Sequence, residues 1–598
     1  MLYKTKPLLA FTAIILCIAM LKAPGLLAQS TPDKALHQLF DSYYEDFLKL
    51  YPLAATQRGD ARYNNLLPNT GSKAFIKSAH DFNAKYRQEL KKINYSLLSP
   101  DDKTSYDILM VMLTRELEGE RFHQEFMPAN QIFSLHLTMG QLGSGTGSQP
   151  FKTVKDYDNW LKRITAFTVW ADTAIANFKK GLQAGVVLPK ALVVKMIPQM
   201  ETLAQSEVTK SVFYGPINKL PQEFAENDKA RLTEAYQKAI SNELNPAYKR
   251  LSDFLKNEYL PKARTTSGTS ALPDGKYRYD HDIYFYTTTR KTPEEIYQTG
   301  LREVARITGE MEKIKASIGF KGTLKELFEF MRTDQQFMPF KTEEEVLNAY
   351  RAVQTKIQPQ VKNLFNLTPK SPFEIRPTEA FRAASAAPQY NTPSEDGSRP
   401  GIFYVPIVDP AKINVTGWEM ESVFLHEAIP GHHYQLALQQ ENLNLPRFRR
   451  FGFFPVFSEG WGLYVESLGE ELGCYTDPYH KIGALGTEIH RAIRLVVDVG
   501  IHTGKMSREE AIQYMLDHEA LSEQSATAEI ERYMARPGQA LAYKTGELKI
   551  KELKSRYQKS LGAKFNIKSF HDAILLGGAM PLDVFEKYMD AWAKEQRI

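Results

Sequence analysis

Apolar residues recur along this chain with the 3.6-residue period of an amphipathic α-helix, and this pattern limits the possible folds more than any other feature. One long segment opens with Thr292 as a helix N-cap, Pro293 in the first helical position and Glu295 as the capping-box partner of the threonine. Strand-like alternation is scarce, and its best examples are residues 276–289 and 401–408. We therefore predict a mainly α-helical protein with a small β-sheet.

The first 28 residues have the three-part pattern of a secretory signal peptide. Lys4 and Lys6 precede an apolar run at 8–20, and a short segment ends at Ala28 before a polar stretch. A retained membrane anchor is the alternative, whereas a lipid anchor is disfavoured because no small residue precedes Cys17. No later segment has the roughly 20 apolar residues that span a bilayer. We predict an exported mature chain, periplasmic or extracellular, without a transmembrane segment.

Composition narrows the kinds of site that the chain can build. Cys17 and Cys474 are the only cysteines among the 598 residues, and the first lies in the predicted signal peptide. Disulfides are therefore not expected, and a metal site must use His, Asp or Glu. The net charge is only +5, without a basic stripe, so we expect no nucleic-acid partner.

A loop rich in Gly, Ser and Thr at 265–275 suggests how the chain is divided. We predict an N-terminal helical region at 29–270 and a C-terminal catalytic region at 271–598, which together form one continuous body.

The stretch FLHEAIPGHHYQ at 424–435 contains the main candidates for metal binding and catalysis. His426 and Glu427 open like the zinc-protease motif H-E-x-x-H, but Pro430 stands where the second histidine belongs. A regular helix would place His432 about 120° around and roughly 9 Å along the axis from His426. A bulge at the proline and the following glycine would return a histidine to the same side. His432 and His433 are the two candidates for this second ligand.

A hydrolytic zinc ion usually has three protein ligands and one open position. The segment SEGWGLY, on a predicted helix at 453–472, offers Glu459 and resembles the NEGF segment of zinc aminopeptidases, whose Glu binds the metal. Glu466, seven residues later on the same helix face, is the alternative third ligand.

Four strings carry a family resemblance: HEAIPGHHYQ, SEGWGLY, RAIRLVVDVGIH at 491–502 and RYMARPGQALAYKTG at 532–546. Together they resemble the bacterial domain-of-unknown-function 885 family, which is grouped with helical zinc metallopeptidases. The chain is more distantly similar to angiotensin-converting enzyme, thimet oligopeptidase and Taq carboxypeptidase. This resemblance implies a large helical, zincin-like body with a deep cleft, one zinc ion and short peptide substrates. It also favours His432, because the relatives carry Gly-His at the second ligand.

Apart from Glu427, which lies in the first string, the remaining candidates lie in the last two. Glu427 is the predicted general base, and Tyr543 is the preferred donor to the oxyanion. The other candidates for substrate or oxyanion contacts are Arg532, Tyr533 and His502, and His502 is also a possible metal ligand or a residue that supports one.

The role of Asp498 is left open by the sequence. This residue either holds a ligand histidine by its free ring nitrogen or pairs with Arg494, four residues earlier.

The predicted function is an exported zinc metallopeptidase that cleaves short peptides, with His426, His432 and Glu459 as ligands. A zinc hydrolase of another amide or ester is one alternative, and a non-catalytic periplasmic binding protein is another. The segment 401–408 is either a cleft-edge strand that pairs with substrate or a strand of the core.

Overall fold

The structure, a computed structural model, describes residues 32–378, 383, 386–395, 397, 399–416 and 419–597. The signal peptide predicted at 1–28 lies outside them. Within these ranges the protein is mainly α-helical with a small three-stranded sheet, so the predicted fold class is confirmed. No helix in the described ranges combines the length and apolarity needed to cross a membrane.

The first part of the chain is almost entirely helical. Its helices are α1 Pro32–Leu50, α2 Pro52–Gln57, α3 Lys73–Lys91, α4 Pro100–Gly119, α5 Leu135–Gly143, α6 Val154–Ala184, α7 Lys190–Leu203, α8 Glu226–Ala239, α9 Asn245–Phe254, α10 Gly275–Thr287, α11 Pro293–Ser317, α12 Leu324–Thr333 and α13 Glu343–Leu364. Two π-helical turns, Ile240–Leu244 and Leu255–Tyr259, follow α8 and α9.

The helices that follow the sheet carry the site. They are α14 Met420–Glu427, α15 His432–Glu441, α16 Arg447–Arg450, α17 Pro455–Glu466, α18 Pro478–Thr503, α19 Arg508–His518, α20 Glu523–Ala535, α21 Ala542–Leu561, α22 Ile567–Gly577 and α23 Leu582–Glu595.

The capping box predicted at the start of α11 is present. The Thr292 hydroxyl accepts a hydrogen bond from the Glu295 amide (3.2 Å), and the Glu295 carboxylate accepts one from the Thr292 amide (2.8 Å). Both donors would otherwise lack an intrahelical partner.

The prediction of a strand at 276–289 is wrong, because α10, Gly275–Thr287, occupies most of this segment. Tyr279, Ile283 and Thr287 are buried at intervals of four, which places them on one helix face. Tyr279 and Ile283 pack in a small core with Leu495 and Val499 of α18. This tertiary contact outweighs the general preference of aromatic residues for strands.

The sheet consists of β1 Phe373–Pro377, β2 Gln389–Asn391 and β3 Gly401–Val405. β3 lies in the centre, parallel to β1 and antiparallel to β2. The strand within 401–408 is therefore a core strand, and the alternative of a cleft-edge strand is wrong. Both edges of β3 are already paired, so it cannot accept a further strand.

The hydrophobic core that supports the site also holds helices from the beginning of the chain. Phe40 of α1 packs against Phe448 of α16, with ring centroids 4.9 Å apart. The same core contains Phe424 of α14 and Trp461 of α17. A second core lies among α6 to α9, and a third surrounds α18 and α11.

Candidate metal centre

The helix that carries His426 is only eight residues long. α14 begins after Glu419, whose carboxylate accepts a hydrogen bond from the Ser422 amide (2.7 Å), and ends at Glu427. The Ile429–Pro430 peptide bond is cis. A new helix, α15, starts at His432, so the predicted bulge is a complete break between two helices.

Gly431 makes this break possible through a close backbone approach. A Cβ atom at this position would lie 1.9 Å from the carbonyl oxygen of His426 and 2.2 Å from that of Leu425. The φ of Gly431 is −77°, so lack of space excludes a side chain here. The turn is also bound to α17, because the Trp461 indole N–H donates to the Pro430 carbonyl (3.0 Å).

Three side chains from three helices come together. They are His426 at the end of α14, His432 at the start of α15 and Glu459 in the first turns of α17. One ligand atom from each lies within 4.8 Å of the other two. Oε2 of Glu459 is 3.4 Å from Nε2 of His426 and 3.5 Å from Nε2 of His432. The two rings are nearly perpendicular, with centroids 4.7 Å apart. We call these three residues the His-His-Glu cluster.

Glu466 approaches the other nitrogen of His426. Its Oε1 lies 2.7 Å from Nδ1 of the ring, and its Oε2 accepts a hydrogen bond from the Thr487 hydroxyl (2.8 Å). The structure thus places this alternative third ligand behind His426 instead of beside Glu459. A carboxylate on Nδ1 fixes the tautomer and the direction of Nε2, as is common for histidines that bind metals.

His433 turns away from the cluster, towards the sheet. Its Nδ1 is 2.9 Å from the Tyr390 hydroxyl, and its ring packs on Phe373 at 4.9 Å. Burial lowers the pKa of His433 to about 4, so the ring is neutral. Of the two neighbouring histidines, the structure brings His432 to the cluster.

Both glycines of SEGWGLY have a packing reason. A Cβ at Gly462 would lie 2.6 Å from the His426 ring, and one at Gly460 would lie 2.5 Å from Cα of Gly546 in α21. Small residues therefore let α17 approach both the ligand histidine and α21.

The chemistry of the donor set fits a zinc ion. Two imidazole nitrogens and one carboxylate oxygen are the ligands of many catalytic zinc sites. Burial lowers the pKa of His426, but hydrogen bonding to Glu459 and Glu466 more than offsets this and raises it to about 10. Burial raises the pKa of Glu459, yet contact with both histidines brings it well below its ordinary value. The cluster therefore favours positive charge, which either protons or a cation can supply.

Glu427 follows His426 directly and is half-buried. Burial raises the pKa of its carboxyl, while His432 and His426 oppose that rise. A carboxyl whose pKa is raised in this way suits general acid–base chemistry.

Tyr543 is the predicted oxyanion donor that the structure places beside the cluster. Its ring stacks on the His426 ring, with centroids 6.4 Å apart and planes 25° apart. The Arg494 guanidinium lies over the same tyrosine ring, 4.5 Å from its centroid.

Tyr533 and Arg532 belong to a network behind Tyr543. The Tyr533 hydroxyl donates to Glu529 (2.5 Å) and accepts from Nε of Arg494 (2.9 Å), and the side chain is buried. Arg532 pairs with the same Glu529 at 3.4 Å. The Tyr533–Arg494 hydrogen bond links α20 to α18, whereas the Arg532–Glu529 ion pair lies within α20.

Asp498 and His502 are not brought to the cluster. Asp498 accepts hydrogen bonds from the Tyr279 hydroxyl (2.6 Å) and the Gly538 amide (3.1 Å). His502 accepts one from the Thr269 amide (3.1 Å) and donates to the Tyr533 carbonyl (3.1 Å). Asp498 was predicted either to hold a ligand histidine or to pair with Arg494. The carboxylate that holds a cluster histidine is instead Glu466, and Arg494 pairs with Glu529 (3.1 Å).

Sequence reasoning missed Thr487 and Tyr390, which bind Glu466 and His433 through their hydroxyls. Neither lies in a recognisable motif. Their contacts arise from packing between elements that are distant in sequence.

Comparison with known proteins agrees with this architecture. The structure of a putative lipoprotein from Colwellia psychrerythraea aligns with this protein with a TM-score of 0.88 and a sequence identity of 27%. The alignment covers 94% of this chain and 100% of the Colwellia chain. A putative lipoprotein of unknown function from Shewanella oneidensis has the same fold, with a TM-score of 0.71 and 18% identity over 93% and 99% of the two chains. No curated protein matches the chain. The model of the family described as "Bacterial protein of unknown function (DUF885)" matches residues 52–589, and the chain belongs to this family.

Proposed function

We propose that this protein is an exported zinc-dependent metallopeptidase that hydrolyses short peptides. The observation that carries the proposal is the His-His-Glu cluster, with ligand atoms within 4.8 Å of one another and Glu427 adjacent to its first histidine. His426, His432 and Glu459 would hold one zinc ion. Zinc held there would supply a Lewis acid that polarises a carbonyl group and acidifies water.

The protein's own groups perform the proton transfers in this proposal. Glu427 accepts a proton from the attacking water and later delivers it to the leaving amine. The hydroxyl of Tyr543 donates a hydrogen bond to the substrate oxygen as negative charge develops on it. Glu466 keeps Nε2 of His426 directed at the cluster by accepting the proton on Nδ1.

Export is supported by the signal-peptide pattern at 1–28. The Colwellia protein, which is 27% identical to this chain, is described as a putative lipoprotein. That description fits an exported or membrane-associated protein. The proposed activity also agrees with the similarity of the motifs to helical zinc metallopeptidases.

Metal analysis combined with three substrate sets tests the proposal: a fluorogenic peptide library, simple amides and simple esters. We expect about one zinc per chain and cleavage of peptides, both abolished by a chelator and restored by zinc. Zinc binding with cleavage of esters or other amides alone would favour a different zinc hydrolase. A chain that binds peptides without zinc and without cleavage would favour a binding protein.

A further inference from the structure

A large polar cavity lies next to the His-His-Glu cluster. Its volume is about 640 Å³, which is within the range of small-ligand sites. Leu436 lines the cavity and lies on α15 one helical turn after His432. Tyr390 of β2 also lines it, and its hydroxyl binds His433. The cavity wall at Leu436 is therefore one helical turn of α15 away from His432.

The charged side chains that line this cavity are all positive. They are Arg58, Arg399 and Arg450, and no Asp or Glu is found among the described lining residues. Glu395 does not line the cavity, but its amide donates to the Arg58 carbonyl (3.2 Å). Its carboxylate pairs with Arg447 (3.4 Å) and also attracts the Arg58 guanidinium. The remaining polar lining consists of amides and hydroxyls, which carry no charge that could neutralise the arginines.

Two of these guanidinium groups have hydrogen-bonding capacity left over. Nη2 of Arg58 donates to the Phe451 carbonyl (3.2 Å), while its Nη1 is buried without an acceptor in the described part of the chain. Nη2 of Arg399 donates to the Thr392 carbonyl (3.1 Å), and its buried Nε likewise has no acceptor there. The Arg58 guanidinium also lies over the rings of Tyr44, Phe47 and Phe451, which contact part of its surface. A carboxylate in the cavity is the ligand that matches the geometry and charge of the guanidinium groups that line it.

We propose that this cavity binds a carboxylate of the substrate through Arg58 and Arg399, so that the protein prefers peptides that present a carboxylate to it. The peptide nature of the ligand rests on the function proposed above. The carboxylate belongs either to an Asp or Glu side chain or to the peptide's C-terminus. Both have the same chemistry, and peptides can be designed that separate them.

Binding can be measured without turnover on the zinc-supplied, full-length Glu427→Gln variant. The probes are four N-acetylated hexapeptides of Ala and Phe with Glu or Gln at the fifth position, each with a free or an amidated C-terminus. By calorimetry, we expect the peptides with the recognised carboxylate to bind at least about tenfold more tightly than the doubly neutral peptide. Preference for Glu identifies a side-chain carboxylate, and preference for the free acid identifies the C-terminus.

The Arg399→Gln change, added to this variant, should remove the preference. Arg351→Gln is the matched control, since Arg351 pairs with Glu344 on α13 and does not line the cavity. If Arg399→Gln fails to fold, a salt titration replaces it, because charge recognition weakens as ionic strength rises. Equal affinity for all four peptides, or a preference unaffected by Arg399→Gln or by salt, would overturn the proposal.

The wild-type protein separates this inference from the proposed function. Cleavage of all four peptides together with charge-independent binding would refute only the carboxylate site. Charge-selective binding without any cleavage would refute only the peptidase.

Discussion

Nδ1 of His426 lies 2.7 Å from Oε1 of Glu466, on the side of the ring opposite to the His-His-Glu cluster. Both side chains are almost completely buried, so water competes little for this hydrogen bond. The pair sets which nitrogen of His426 faces Glu459, and it depends on two residues forty positions apart in sequence.

Replacing Glu466 by Gln should lower zinc affinity by about 10- to 100-fold, because the amide no longer holds the Nδ1 proton as a carboxylate does. Competition with a chelator of known affinity measures the change. Thr487→Val, which removes the hydroxyl bound to Glu466, should produce a smaller loss in the same direction. Unchanged affinity in both variants would contradict an orienting role for Glu466.

Glu427→Gln should keep about one zinc per chain and the native fold, but lose about 10²- to 10⁴-fold in peptide hydrolysis. The amide has the same shape but cannot accept the proton of the attacking water. Glu471→Gln, an exposed carboxylate beyond α17, is the control and should retain activity. Near-normal turnover by a zinc-loaded Glu427→Gln protein would refute the proposed mechanism.

His432→Ala should abolish tight zinc binding, whereas His433→Ala should retain it. The first change removes a ligand from the cluster, and the second removes a neutral ring that binds Tyr390 and packs on Phe373. We expect His433→Ala to lower stability and to reduce activity only in part, since the cluster itself stays intact. Zinc stoichiometry decides the assignment, which is reversed if only the His433 variant loses the metal.

Gly431→Ala should disrupt the break between α14 and α15, because its Cβ would meet the backbone oxygens of His426 and Leu425. Backbone atoms cannot rotate away, so we expect both zinc binding and thermal stability to fall. Gly309→Ala in α11 is the matched control. Nothing lies within 4 Å of a Cβ there, and we expect a gain of about 0.5–1 kcal/mol in the free energy of unfolding.

Buried His571 should make the protein less stable in acid. Its Nδ1 donates to the Leu364 carbonyl (2.8 Å), its Nε2 accepts from the Tyr464 hydroxyl (2.8 Å), and burial lowers its pKa to about 3. The unfolded chain binds this proton near pH 6.5. The stability contributed by the neutral ring is therefore complete above pH 6.5 and is lost as the pH falls towards 3.

Comparison with His571→Gln isolates this contribution, since the glutamine amide can also donate and accept. Between about pH 6 and 4, the free energy of unfolding of the variant should fall less steeply, by about 1.4 kcal/mol per pH unit. Chemical denaturation at several pH values measures the two slopes. Identical slopes would show that His571 is already protonated in the folded protein.

Local patterns in the sequence determined the helical fold class and the chemical candidates. The capping box at Thr292 and the adjacent His426 and Glu427 depend on short-range spacing. Glu459 was identified by the resemblance of its own short segment, SEGWGLY, to that of the zinc aminopeptidases. Spacing within one segment can be evaluated without knowledge of the fold, so these features could be predicted.

Tertiary structure decided the features that depend on the relative placement of distant segments. The direction in which α15 leaves the break at Gly431 brings His432 to Glu459 and turns His433 towards Tyr390. Packing against α18 makes 275–287 a helix, although its aromatic residues favour a strand. The choice of Glu466 over Asp498 as the partner of His426 likewise follows from which face of each helix is buried against α14, and no local pattern encodes that contact.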